Sequence, residues 1–159
     1  MSKLSEISEY KNTVISRLLE SKEIVKALNY EHENFLDQPD LDDASSLVYK
    51  NIFPHVFIPE IGTKRATYLT ISCRKFKKST KNPACKVGHL RLEVFTNKEL
   101  FKTDYGVTRI DYITNKIEEL FNSQRGIGVG GLEFFEFDEL IINNQYMGAY
   151  LMYRSVDFN

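Results

Sequence analysis

His89-Leu90-Arg91-Leu92-Glu93-Val94-Phe95-Thr96 sets Leu90, Leu92 and Val94 on one side of the chain and His89, Arg91, Glu93 and Phe95 on the other. That period of two is the signature of a strand with one face on a core. Upstream, residues 66–76 read the same way, with Leu69, Ile71, Cys73 and Lys75 opposing Tyr68, Thr70, Ser72 and Arg74. Between the two runs lies Lys77-Lys78-Ser79-Thr80-Lys81-Asn82-Pro83, polar and basic, which predicts an exposed hairpin loop over residues 76–86. Downstream, residues 132–142 and 146–158 read as two more strands joined around Asn143-Asn144-Gln145. An apolar patch, Ile52-Phe53-Pro54-His55-Val56-Phe57-Ile58-Pro59, admits a short edge strand at residues 56–58, because flanking prolines forbid a long central one.

Helical spacing appears in two places. Ile7, Tyr10, Val14 and Leu18 recur every three or four residues, and Ile24, Val25 and Leu28 continue the stripe after a break near Ser21. The N-terminal helical segment is therefore placed at residues 5–30, with Ser5 or Ser8 as its cap. Ile110, Ile113, Ile117 and Leu120 form a second stripe within residues 107–121, entered through Gly106 and capped by Asp104 or Thr108. A short helix capped by Asp42 or Asp43 is expected through Ala44, Leu47 and Val48. The order of elements predicts a single α+β domain over residues 1–159, a largely antiparallel sheet covered by an N-terminal helix and a second helix between strand pairs.

Charge is polarised along the chain although its sum is near zero, at −1 from 21 basic and 22 acidic side chains. Residues 31–43 hold Glu31, Glu33, Asp37, Asp40, Asp42 and Asp43 and no base. Residues 64–91 hold Lys64, Arg65, Arg74, Lys75, Lys77, Lys78, Lys81, Lys86 and Arg91 and no acid. A neutral total argues against a dedicated nucleic-acid binder. No run of 18 apolar residues is present, so no membrane span is expected. Without an export signal at Met1-Ser2-Lys3-Leu4, Cys73 and Cys85 are expected to be reduced, although a hairpin centred near Ser79 would set them almost opposite each other.

No constellation for catalysis emerges. The glycines of Arg125-Gly126-Ile127-Gly128-Val129-Gly130-Gly131 follow a helix and precede a strand, the reverse of a phosphate loop, and read as a structural turn. His32, His55 and His89 are scattered, and neither cysteine forms a Cys-x-x-Cys pair. Glu133, Glu136, Asp138 and Glu139 read as an exposed strand face. No catalytic residue, metal or cofactor is therefore assigned. The basic hairpin has three readings: a solvated tip, a docking surface for an acidic protein patch, or a salt-sensitive contact to DNA phosphates. The patch at Phe53 and Phe57 and the pair Phe134-Phe135 are open to two, subunit contact and intrachain core.

Leu90-Arg91-Leu92-Glu93-Val94-Phe95, then Asp104-Tyr105-Gly106-Val107-Thr108-Arg109-Ile110-Asp111-Tyr112-Ile113, the Gly126-Ile127-Gly128 turn and Tyr146-Met147-Gly148-Ala149-Tyr150 resemble the tail terminator and tail-completion proteins of tailed bacteriophages. The opening helix, the acidic loop and Leu47-Val48-Tyr49-Lys50-Asn51-Ile52-Phe53-Pro54 fit the same picture. These are turn and packing features rather than a catalytic signature. The resemblance implies a virion neck protein, assembled in the host cytoplasm, that forms a hexameric ring at the head-proximal end of the tail. It would end tail-tube polymerisation and join the tail to the head connector. Implied partners are the tail tube protein, head-completion or connector proteins, and genomic DNA passing non-specifically through the channel, with no membrane contact.

Within that resemblance, Arg74, Lys75, Lys77, Lys78, Lys81 and Lys86 would face a partner ring or the channel. Phe53, Phe57, Arg109, Arg125, Phe134 and Phe135 would be inter-subunit contacts, and the Arg109–Asp111 neighbourhood would position the helix after Gly106. A head-completion or neck adaptor protein is the nearest alternative. A small cytoplasmic enzyme and a nucleic-acid-binding regulator are the alternatives outside that class.

Overall fold

Five strands lie side by side in the order β1-β2-β3-β5-β4, with β1 parallel to β2 and every other pair antiparallel. Along the chain the elements are α1 (Ile7–Glu20), α2 (Lys22–Asn29), β1 (Ile52–Phe53), β2 (Thr67–Lys78), β3 (Lys86–Asn97), α3 (Arg109–Phe121), β4 (Leu132–Ile141) and β5 (Tyr146–Val156). This computed structural model describes residues 7–78, 80, 86–121 and 132–156. One open, mostly antiparallel sheet with helices on one face makes a single α+β domain.

The alternation at the centre of the sheet decides the layering. Leu90, Leu92 and Val94 of β3 sit in register with Cys73, Ile71 and Leu69 of β2 and with Tyr153, Leu151 and Ala149 of β5. Against this apolar face pack Val14 and Leu18 of α1, Ile24 and Leu28 of α2, and Ile113 and Ile117 of α3. Each fully buried aliphatic side chain here contributes about 1.5–3 kcal/mol relative to exposure.

Local signals set the helix ends. Ser21 separates α1 from α2, and its Oγ accepts from the Ile24 N–H at 3.3 Å, so the segment at 5–30 is two helices joined by a cap. Ser8 lies inside α1, and Ser5 lies outside the described residues. Gly106 adopts φ +78°, which turns the chain into α3, and Thr108 Oγ1 accepts from the Asp111 N–H at 3.1 Å. Asp43 caps a 3-10 turn over Ala44–Leu47 by accepting from the Ser45 N–H.

A second, smaller cluster lies on the opposite face at one end of the sheet. Phe53, Tyr68, Phe95 and Tyr146 are buried there, with Phe57 packed against them. The rings of Phe53 and Phe57 stack with centroids 4.0 Å apart. This corrects the expected edge strand at 56–58, which is not a strand. The short edge strand is β1, which ends before Pro54, a residue with no N–H to donate to a ladder. Residues after it cross the sheet face, where Phe57 packs as a side chain and leaves Val56 and Ile58 exposed.

The expected hairpin joins β2 to β3 with a shift in register between Arg74 and Lys77, where Lys75 takes φ +53°. Cys73 pairs with Leu90, not with a cysteine, and burial pushes its thiol above the ordinary range. Cys85 lies outside the described residues, as do Ser79, Lys81 and the glycine run at 126–131.

Candidate assembly surfaces

Three surfaces are left after the core is packed. The first is the basic end of β2. Lys75, Lys77 and Lys78 are exposed there and make no ion pair among the described residues. Arg74 is partly tied down, its Nε donating to Ser72 Oγ at 3.1 Å and its Nη2 lying 3.9 Å from Glu93. Lys86 stands opposite Lys78 in the strand register. The sequence-predicted basic group is thus gathered at one corner of the sheet, with Lys81 outside the described residues.

The second surface is the part of the sheet face left uncovered by either helices or the small aromatic cluster. Arg91 donates from Nε to Glu93 at 2.8 Å while its guanidinium lies 3.9 Å over the Tyr150 ring. Tyr150 in turn donates its O–H to Glu136 at 2.7 Å, and that hydrogen bond raises its pKa. The three strands β3, β5 and β4 are thereby cross-linked by a row of polar contacts rather than by apolar packing. His89, in the next row, lies 4.4 Å from the Phe135 ring, and its Nδ1 has no hydrogen-bond partner among the described residues. Burial, then the charges of Arg154 and Lys75, push its pKa down, so it stays neutral near pH 7.

The third surface is β4, which lies beyond the helix layer. Phe134, Phe135, Phe137 and Ile141 are 46%, 52%, 44% and 77% exposed. Glu133, Glu136, Asp138 and Glu139 are exposed beside them; the first three share the face away from the helices, whereas Glu139 pairs with Ala149 on the helix side. A cleft of about 530 Å³ separates α3 from this strand, lined by Val107, Thr114, Phe134, Phe137 and Leu151. Phe134 and Phe135 are half-exposed in the chain by itself; Phe134 meets the edge of Tyr153, with ring centroids 6.1 Å apart.

Arg109, expected as an inter-subunit contact, is instead 0% exposed. Its Nε donates to the Leu100 carbonyl at 2.9 Å, and Nη1 donates to Ala27 and Tyr30 at 2.8 and 2.9 Å. Nη2 donates to Glu31 and His32 at 3.3 and 2.9 Å, and Phe35 lies under the guanidinium at 4.8 Å. Burial lowers its pKa to about 10, so it remains charged at pH 7. It fastens the exit of α2 and the start of the acidic segment to α3. A signal for this was present in the sequence, since Arg109 falls in phase with Ile113 and Ile117 on the buried stripe. Phe53 is likewise interior, 8% exposed and covered by the stacked Phe57. Arg125 lies outside the described residues.

The acidic segment folds back on α2 instead of standing free. Asp40 holds Lys26 and Lys22, each at 3.0 Å, and these contacts keep its carboxyl below the usual range. A hollow of about 320 Å³ between this segment and β2 is lined by Tyr30, Glu31, His32, Asn51 and Arg65. Asn51 Nδ2 donates to Leu28 and Thr67 carbonyls at 3.1 and 2.8 Å, a structural role. What the described surfaces can do chemically is present charge, aromatic rings and open strand edges to another macromolecule.

No curated protein and no solved structure matches this chain. A family model described as YomW matches residues 21–155, from the cap of α2 into β5. The match covers most of the molecule, including all five strands, and the chain belongs to the YomW family of phage-associated proteins.

Proposed function

We propose that this chain is a structural virion protein that forms a ring at the head-proximal end of a phage tail, ends tube polymerisation and joins the tail to the head connector. The observation that carries the reading is the open strip on β4, where Phe134, Phe135, Phe137 and Ile141 are too apolar and too exposed for a solvated strand. Such a strip fits a subunit made to be covered by neighbours. The basic corner at Lys75, Lys77 and Lys78 is a second contact surface, suited to an acidic patch on an adjoining ring or to DNA in transit. In this reading the molecule is a building block and transforms no substrate.

The test is fractionation of infected cells into tail tubes lacking heads and DNA-filled heads lacking tails. Copurification with tail tubes is the expected result. Attachment to tailless heads would instead assign the chain to the neck adaptor, and absence from both would overturn a virion role. Replacing Lys77, Lys78 and Lys81 with Ser is expected to leave a folded subunit that joins heads to tails poorly. Normal infectivity of that variant would remove the basic corner from the assignment.

A further inference from the structure

Among the described residues, β4 and the part of β2 beyond β1 each have an open edge. β1 pairs with β2 only at Leu69 and Thr70, so among the described residues no strand lies outside β2 from Ile71 to Lys78. β4 pairs with β5 on one side and with no described strand on the other. Each edge therefore presents a row of backbone N–H and C=O groups able to extend a ladder.

The two edges carry opposite charge. Past Thr70, β2 holds Arg74, Lys75, Lys77 and Lys78 and no acid; β4 holds Glu133, Glu136, Asp138 and Glu139 and no base. Pairing of β2 with β2, or β4 with β4, would set like charges against each other, which is destabilising. Pairing of β4 with β2 sets unlike charges together. Strand direction agrees as well. Because β2–β3, β3–β5 and β5–β4 are all antiparallel, β4 runs opposite to β2, and a β4 laid beside the next copy's β2 continues the antiparallel pattern.

We propose that copies of this chain associate head to tail, β4 of one beside the outer half of β2 of the next. The register that satisfies the charges sets Glu136 against Arg74 and Glu133 against Lys77. Both strands bulge within those intervals, between Arg74 and Lys77 on one and between Phe134 and Glu136 on the other. Each interval is three residues long, so the two pairs fit one antiparallel register. All four positions lie on the face away from the helices: Arg74 and Glu133 share the row Arg74–His89–Arg154–Glu133, Glu136 falls in the row Ser72–Arg91–Met152–Glu136, and Lys77 pairs with Val87, two residues along β3 from His89. On the helix side the same register brings Phe137 beside Cys73 and covers part of the exposed apolar strip. Such a contact is heterologous, and it closes into a ring when the rotation between copies divides a full turn. The proposal deepens the assembly reading above and rests on it for that closure.

Charge exchange tests the contact on the purified full chain by sedimentation velocity. Wild type is expected to assemble. Glu133→Lys with Glu136→Lys makes all four paired positions basic, and Arg74→Glu with Lys77→Glu makes all four acidic. Each variant alone is expected to associate about tenfold more weakly or worse. An equal mixture of the two restores opposite charges at every contact and is expected to recover assembly. Circular dichroism monitors folding, and Lys77→Glu alone replaces the second variant if loss of Arg74 disturbs Glu93. Monomeric wild type at every concentration, variants that assemble like wild type, or a mixture that stays monomeric would each overturn the proposal. Recovery in the mixture with absence from viral particles would leave the contact standing and remove the tail assignment.

Discussion

Arg109 donates from Nη1 to the main-chain oxygen of Ala27 at 2.8 Å, joining the start of α3 to the last turn of α2 across 82 positions of sequence. The contact answers two needs at once. The last carbonyls of a helix lack partners within it, and a buried guanidinium needs acceptors in place of water. With Tyr30, Glu31, His32 and Leu100 also accepting, one side chain orders the exit of α2 and the loop before α3.

Arg109→Met keeps an apolar stem and removes the fork. The freed carbonyls stay buried, so a loss of about 3–5 kcal/mol is expected. A lower urea midpoint at unchanged slope measures it. Arg109→Lys is expected to recover only part, because one ammonium cannot meet acceptors on so many sides. An unchanged midpoint in the Met variant would deny the residue this role.

Ile113 is fully buried between α3 and the sheet. Ile113→Asp places a carboxylate among Leu and Ile side chains with no partner, a burden of several kcal/mol, roughly the whole stability of a small domain. The expected result is insoluble or unfolded protein. A cooperative thermal transition near that of wild type contradicts the placement of α3.

Gly148 sits between β3 and β4 where a Cβ would fall on the Val94 carbonyl oxygen and within 2.6 Å of Phe95 Cα. Gly148→Ala must push strands apart, and a loss of about 1–3 kcal/mol is expected from overpacking. Differential scanning calorimetry reads this as a lower Tm with the transition still cooperative.

Alkaline pH should unfold the protein in a defined direction. Burial, with Tyr146 adding to it, pushes the Tyr68 phenol up to about 12. Burial and the hydrogen bond to Glu118 raise Tyr153 in the same sense. An unfolded tyrosine titrates near pH 10 by the reference value, so the folded state holds its protons longer. Their contribution is therefore complete below about pH 10 and is lost as pH rises through the folded-state values. Urea midpoints taken at stepped alkaline pH are expected to fall, and Tyr68→Phe to make the fall shallower. A flat profile would mean that the phenols are not enclosed.

Much of this architecture is readable from residue spacing. Leu90, Leu92 and Val94 announce the central strand, and Ile110, Ile113 and Ile117 announce α3, because one-sided burial imposes a period on the chain. What spacing does not carry is which strand lies at an edge. Phe134 and Phe135 fit a core and a subunit contact equally well in one dimension, and with Phe137 they stand half-exposed in three, since β4 lies at the edge of the helix layer. Phe57 misled for the opposite reason, its β-forming neighbours suggesting a ladder while its ring serves a stack. Arg109 is expected as an inter-subunit contact and is instead interior, although most arginines stand at the surface. The basic stretch is legible as charge but not as a single patch: Arg74, Lys75, Lys77, Lys78 and Lys86 fall at one end of the β2–β3 pair, while Arg65 pairs with Glu99 and Arg91 with Glu93.

The order β3-β5-β4 also governs how the molecule can be made. β4 leaves the ribosome before β5, yet β5 is its one strand partner among the described residues. Until β5 inserts beside β3, the phenylalanine-rich β4 has no seat and trails as a sticky ribbon. Translation must therefore run through the last strand before the sheet can close. A nascent chain stalled earlier would be expected to require a chaperone.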